Sequence, residues 1–341
     1  MAAPAKALAQ RLAFACNGAM SVAATETPPP QAATQAQPKQ WDGRTRTGTG
    51  ILIFYYLFRF LGPRFAYALL YPVCLYQLIF NQRNGRASRD YLRRRYPGLR
   101  GPRLWWRNYR HFLSFGRVLV DRGYAFLGML GEVKFERDGH EVIEQVLAQG
   151  KGVILISAHL GNWELAAYSL GGFMAQGKRI PVNAVMFKGE SEKVEKQLKQ
   201  ASGEPPFRII ASNDSLQASI ECMNALKRGE VVAIHGDRVL GAAGVEVPFM
   251  GAPARFPIGP FVLAANTGAP VVFTFANRLG MRRYALMARG PYLYQFESRA
   301  QRDANLKQWA GQYADLLQGL LQKYPLQWHN FFKFWETDPG K

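Results

Sequence analysis

The residues best suited to chemistry gather in one stretch, Gly152 to Leu165. It contains His159 and Glu164 in the spacing His-x4-Glu. A histidine leaving a strand can meet a carboxylate in the first turn of the next helix across the loop between them. The carboxylate would accept the proton of one ring nitrogen and fix the tautomer. The other nitrogen would stay basic near neutral pH, ready to take a proton from a hydroxyl. The same two residues also fit a structural histidine and a glutamate that favours the helix macrodipole. Spacing alone does not separate these readings.

Other polar groups cluster at a second strand end, Val231 to Arg238. Asp237 and Arg238 would lie on the same rim as His159. An arginine fixed by an aspartate can grip a phosphate bidentately, and the two can equally form an internal pair. Lys188 follows another strand and would act as a point charge. Arg255 precedes a helix over Ile258–Ala265 and could hold an anionic headgroup at its N-terminus. Phe249, Met250, Phe256 and Phe261 suit an acyl-chain pocket or plain core. His159, Glu164, His235 and Asp237 could share a metal and hydrolyse an ester. Neither histidine has a neighbouring ligand at helical or strand spacing, so no metal is expected. No Gly-x-Ser-x-Gly segment sets up a nucleophilic serine.

The elements that must position these groups read clearly. Val153–Ile156 is a short aliphatic run, the pattern of a strand buried on both faces. Gly161 permits a sharp turn, and Asn162 caps a helix over Trp163–Ala175. Further strands are expected over 180–186, 207–211, 231–235, 270–276 and 284–288, and helices over 139–148, 190–201, 215–227 and 304–322. Such alternation predicts an α/β fold, a mostly parallel mixed sheet flanked by helices, over residues 131–336. In open sheets of this kind the carboxyl ends of the strands form the ligand rim.

The chain has 341 residues and a formal charge of +19, which calls for an acidic partner. No nucleic-acid motif is present, so anionic membrane lipids fit better than nucleic acid. Cys16, Cys74 and Cys222 are too scattered for a metal site or a disulfide framework. Residues 1–48 are rich in Ala, Gln, Thr and Pro and read as a disordered extension; a signal peptide fits poorly, because Arg11, Cys16 and Asn17 interrupt the apolar stretch. Residues 49–130 read as a membrane-associated helical region. Ile51–Phe80 is strongly apolar but broken at Arg59 and at Gly62-Pro63-Arg64. Its longest charge-free run falls short of the ~18–20 residues that span a bilayer. It is either a core helix or a segment inserted in the membrane, as a span or as a broken hairpin in one leaflet. Ten arginines between Arg83 and Arg110, with Trp105, Trp106 and Tyr109 among them, follow it. That order favours an anionic membrane surface.

Three segments together resemble the lipid A biosynthesis acyltransferase family. They are the His159-x4-Glu164 stretch, Val247-Pro248-Phe249-Met250-Gly251-Ala252-Pro253-Ala254, and Leu263-Ala264-Ala265-Asn266-Thr267-Gly268-Ala269-Pro270-Val271-Val272. The resemblance covers about Gly50 to Trp335. It implies transfer of a fatty acyl group from an acyl carrier protein or coenzyme A thioester to a hydroxyl of a lipid or glycolipid. His159 would be the general base and Glu164 its partner, with no cofactor and no acyl-enzyme. The expected place is the cytoplasmic face of a bacterial inner membrane. Three departures stand out. Gly236-Asp237-Arg238 replaces the more usual Asp-Gln-Asp and is similar to relatives in aryl-polyene-type clusters. Lys188 stands near where an arginine is usual. The ending Gln327 to Trp335 has phenylalanines where paired arginines are usual, and reads as a packed cap on the domain. The expected acceptor is therefore lipid A-like or a polyene-type lipid. The alternatives are a non-catalytic basic lipid-binding protein and a metal-dependent esterase.

Overall fold

The computed structural model describes residues 48–126, 129–170, 174–175, 178–186, 207–239 and 244–335. Lys188, the expected extension before residue 48 and the expected helix over 190–201 lie outside these residues.

Among the described residues three helices come first: α1 (Gly48–Phe80), α2 (Gln82–Arg95) and α3 (Gly101–Phe126). The apolar run of α1 is bent at Gly62, whose φ of 78° leaves the helical region just before Pro63. Ala66, Leu70, Cys74 and Leu78 repeat every four residues and bury one face of α1 against α3. The approach is close at Gly116, where a Cβ would stand 2.9 Å from the Leu70 side chain. The other face stays open: Phe60, Leu61, Phe65, Tyr71, Tyr76, Ile79 and Phe80 are exposed, as are Trp105 and Trp106 on α3. Tyr109 does not join them. It turns inward and donates to the Tyr71 carbonyl. Among the described residues no helix is long and apolar enough to cross a membrane.

Apart from the half-buried Arg89, the arginines from Arg83 to Arg110 divide into two groups. Arg83, Arg86, Arg93, Arg100, Arg103 and Arg110 are exposed. Arg94 lies over the Trp335 ring, Arg107 over Tyr96, and Arg95 donates to carbonyls of Leu321 and Gln322. This second group fastens α2 and α3 to each other and to the C-terminal part of the chain.

The α/β part runs β1 (Lys134–Asp138), α4 (Glu141–Ala148), β2 (Val153–Ser157), α5 (Trp163–Leu170), β3 (Met174–Ala175), β4 (Lys178–Arg179), β5 (Val182–Met186) and β6 (Arg208–Ala211). It continues with α6 (Ser215–Lys227), β7 (Val231–His235), β8 (Gly244–Phe249), β9 (Ala252–Pro257), α7 (Gly259–Thr267), β10 (Val271–Gly280), β11 (Arg283–Tyr292) and α8 (Arg302–Lys323). Among the described residues seven strands form one sheet in the order β1-β11-β10-β2-β7-β5-β6. Only β10 and β11 pair antiparallel within it, so the expected mostly parallel mixed sheet is present. The helix expected over 163–175 ends at Leu170, and Met174 and Ala175 instead pair with Arg179 and Lys178. The β8–β9 ribbon is an addition that alternation of apolar runs does not reveal.

β2 is central and alternates between two cores. Ile154 and Ile156 face α6, α7 and α8, while Val153 and Leu155 face α4. The N-terminal helices join the sheet through a buried polar knot. Asp121 of α3 accepts from Arg278 Nε of β10 at 2.7 Å and from the hydroxyls of Tyr67 and Tyr284. A carboxylate so enclosed would be costly without these donors. Burial raises the Asp121 pKa despite Arg278 and Tyr284. Cys74 and Cys222 are free and buried, and burial pushes each thiol up to about 11.

Candidate active site

β2 and β7 run parallel, and Ser157 lies opposite His235. Each chain continues two residues past that pair, which brings His159 and Asp237 to the same level on the strand-end rim. Gly236 makes the turn possible. Its N–H donates to the Ser157 carbonyl at 2.7 Å. A Cβ there would meet Ile156 Cγ2 at 2.6 Å and the Tyr313 ring at 2.9 Å.

Asp237 is fully buried, and its carboxylate accepts from three donors. Oδ1 lies 2.8 Å from His159 Nδ1. Oδ2 accepts the His159 backbone N–H at 2.9 Å and the Trp328 indole N–H at 2.8 Å. Burial works to raise its pKa, but attraction to His159, their hydrogen bond, His235 and the Trp328 donor together hold it well below the usual carboxylate range. An ionised carboxylate only accepts, so Nδ1 of His159 carries the proton and Nε2 presents its lone pair. A fifth of the His159 side chain is open to solvent.

The partner expected for His159 was Glu164. The structure gives it Asp237 instead. Glu164 does stand in the first turn of α5, but its Oε2 lies 2.5 Å from Nε of Arg122 on α3. The cause is topological. Parallel pairing of β2 with β7 delivers Asp237 beside the histidine, whereas the start of α5 faces the helical region. Asp237, expected to back Arg238, bonds His159 and Trp328. Arg238 lies over the Phe332 ring at 5.0 Å, with Nη2 3.5 Å from Asn330 Oδ1.

The loop that carries His159 is fastened on three sides. Gly161, at φ 70°, lets its backbone press against β10, and a Cβ there would stand 1.8 Å from the Ala276 carbonyl oxygen. Its N–H donates to Gln327, and the Asn162 N–H to Ala276. The His159 carbonyl accepts from the His329 N–H at 2.8 Å. Asn162 caps α5 by accepting the Leu165 N–H at 3.1 Å, while its amide donates to the Val118 carbonyl of α3. Leu160 and Trp328 form a bridge pair. The C-terminal aromatic run is thus the packed cap expected of it, and it also reaches the proton-handling pair through Trp328.

His235 stacks on His159 with ring centroids 4.3 Å apart. Loss of solvation and then the proximity of His159 push its pKa down to about 3, against the pull of Asp237, so it is a neutral ring. His159, His235 and Asp237 bring three potential metal ligands within 4.8 Å of one another. Their hydrogen bonds already account for the grouping: Nδ1 of His159 is bound to Asp237, and Nδ1 of His235 lies 3.1 Å from Ser157 Oγ. With Nδ1 of His159 bound to Asp237, Nε2 is the atom His159 has left to offer a cation.

Arg255 sits in the β8–β9 ribbon opposite Glu246, with its side chain over Gly244. Phe249, Phe256 and Phe261 are buried; Phe256 packs edge-on to Phe249 and to Phe334, and Phe249 is tilted against Phe334, which fits the core reading.

Residues 111–337 match the family described as bacterial lipid A biosynthesis acyltransferase. The chain belongs to this family. Among curated proteins it is similar to a phosphatidylinositol mannoside acyltransferase of Mycobacterium tuberculosis, 31% identical over 144 residues, covering 40% of this chain and 42% of the relative. A protein of the same name from Mycolicibacterium smegmatis is 29% identical over 150 residues, covering 40% of this chain and 45% of the relative. The chain thus spans less than half the length of the relatives it matches. The family match begins at His111 in α3, so it takes in Asn162, Glu164 and the C-terminal cap as well as His159 and Asp237. Trp328 and Arg122 are the two residues of this neighbourhood that sequence reasoning missed. Trp328 had a signal in the aromatic ending; Arg122 had none, being one arginine among many.

Proposed function

We propose that this family member is a membrane-associated O-acyltransferase. It moves a fatty acyl group from the thioester of acyl carrier protein or coenzyme A to a hydroxyl of a lipid or glycolipid acceptor. The observation that carries the reading is the His159–Asp237 pair on the rim of a buried sheet, in a chain of this family. Nε2 of His159 takes the acceptor O–H proton, and the oxygen attacks the thioester carbonyl carbon. The imidazolium that forms is balanced by Asp237, which is already ionised and aligned. The tetrahedral intermediate collapses with loss of the C–S bond, and the departing thiolate receives the proton back from Nε2. Arg238 is a cation near the pair that can steady the developing oxyanion. The names of the relatives favour a glycolipid acceptor carrying phosphate, over lipid A or a polyene-type lipid. The exposed apolar face of α1, with Trp105, Trp106 and the exposed arginines, favours attachment to an anionic inner-membrane surface from the cytoplasmic side. No resident cofactor or metal takes part.

The test is product mass. Purified protein with membranes and a series of acyl thioesters should add one acyl chain to a lipid, and His159→Ala should abolish the addition. Full transfer by His159→Ala would refute the mechanism, and loss of activity on chelation would move the reading to a metal-dependent esterase.

A further inference from the structure

Arg122 has no part in the proton relay, yet it is built into the same neighbourhood. Its guanidinium contacts Glu164 through Nε, and the two differ in exposure: 26% of the Arg122 side chain is open, against 9% of Glu164. The carboxylate is the inner member and the cation the outer one. Arg122 also lies on a face of α3 that covers the His159 loop. Ser114, Val118 and Arg122 follow at four-residue intervals. Ser114 Oγ lies 3.4 Å from His329 Nε2, the Val118 carbonyl accepts from Asn162, and Arg122 meets Glu164. Burial depresses the basicity of the His329 ring most, and nearby Arg122 adds to the effect while the Gly161 backbone opposes it. So a partly open guanidinium, oriented by a buried carboxylate, stands on the side of the site where the base is held.

We propose that Arg122 is a specificity-determining residue that grips a phosphate ester of the acceptor, with Glu164 holding its guanidinium in place. This rests on the acyltransferase reading above and adds a role for each partner. The chemistry is that of a planar fork of N–H donors, which suits phosphate oxygens and is pre-ordered when a carboxylate fixes the arginine. Glu164 is then a positioning residue that acts on the acceptor through Arg122. It does not act on the proton through His159.

The test separates this role from a clamp between α3 and α5. The full chain is titrated with inorganic phosphate at fixed ionic strength, and melting temperatures report folding. Arg122→Gln should weaken phosphate binding at least tenfold, Arg122→Lys should keep part of it, and His159→Ala should bind like the wild type. Arg299→Gln, on the exposed surface away from this neighbourhood, should leave phosphate binding unchanged. If Arg122→Gln melts early because Glu164 loses the Arg122 cation, the Arg122→Gln/Glu164→Gln pair removes both charges and should show the same binding loss. In turnover with the acceptor named by product mass, Arg122→Gln and Glu164→Gln should raise acceptor KM by about 10–100-fold and leave the thioester KM and the pH profile of kcat in place. Phosphate binding that survives Arg122→Gln overturns the proposal, whether or not the protein proves to be an acyltransferase. Lost phosphate binding with an unchanged acceptor KM limits Arg122 to the free anion and also overturns it. A shifted kcat pH profile in Glu164→Gln returns Glu164 to His159.

Discussion

The indole N–H of Trp328 donates to Oδ2 of Asp237 at 2.8 Å, across 91 residues of chain. The same oxygen accepts the backbone N–H of His159. The carboxylate that serves the histidine is therefore positioned from both ends, by the loop it serves and by the C-terminal cap.

If the pair works as one unit, Asp237→Asn should lower kcat by about 10²–10⁴-fold with thioester KM little changed, since an amide cannot balance an imidazolium. His159→Ala should be at least as slow. The double variant should match His159→Ala, because members of one unit are not additive. A double variant slowed by the product of the two defects would show that they act separately.

Trp328→Phe keeps an aromatic ring but removes the donor. A buried hydrogen bond to a charged group is worth ~1.5–3 kcal/mol, which predicts a drop of roughly 10-fold or more in turnover with the fold retained. The check is kcat together with a melting curve. Unchanged kcat would mean that the two His159 contacts alone hold Asp237.

Gly161→Ala should be severe. The added methyl would fall 1.8 Å from the Ala276 carbonyl oxygen, at a φ that side chains avoid. Neither β10 nor the loop can give way cheaply, so the loss should exceed ~3 kcal/mol. Denaturant unfolding of the variant measures it. A loss below ~1 kcal/mol would show that the loop and β10 can part.

Much of this arrangement is legible in the sequence. The strands over 153–157 and 231–235, the bend at Gly62-Pro63 and the Asn162 cap follow from local pattern and turn chemistry. The partner of His159 does not, because His-x4-Glu is a local spacing and the true neighbour is set by which strands pair. Asp237 stands beside His159 only because β7 lies next to β2. Arg122 is hidden for the opposite reason: in a chain with 43 lysines and arginines, nothing local distinguishes the one that meets Glu164. The aromatic ending showed that it packs, but the indole nitrogen had no visible target until the carboxylate was placed.

Stability should fall as the medium turns acidic. Burial pushes His111 down to about 4, and His329 well below its ordinary value of 6.5. Above pH ~6.5 both states hold these rings neutral. As pH falls below that, the unfolded chain takes up protons that the folded protein cannot accept, until about pH 4 for His111. His235, pushed to about 3 but with some surface open, adds less. Asp237 acts lower still, since its stabilising contribution is lost only as pH drops through its depressed folded value. Melting temperature against pH should decline between about 6.5 and 4, and His111→Asn should flatten the decline. A flat profile in the wild type would refute the burial of neutral rings.

Membrane attachment should depend on the open face of α1. Phe60→Ser, Tyr76→Ser and Phe80→Ser together remove three exposed aromatic side chains and leave the Ala66, Leu70, Cys74 and Leu78 contact intact. Binding to vesicles with anionic lipid should weaken, with the remaining binding lost at high salt. Sedimentation with vesicles measures this, and full retention at high salt would place the anchor elsewhere.

The opposition of Ser157 and His235 has a consequence for how the protein matures. A slip of one residue between β2 and β7 would set His159 against Gly236 or Arg238 and would turn every side chain of the slipped strand to the wrong core. No partly correct alignment leaves a weakened relay. The pairing joins segments 78 residues apart, a closure that forms slowly compared with a helix. Recovery of activity on refolding should therefore trail recovery of helical signal, and a misaligned molecule should be inert, with no acyl transfer to stray hydroxyls.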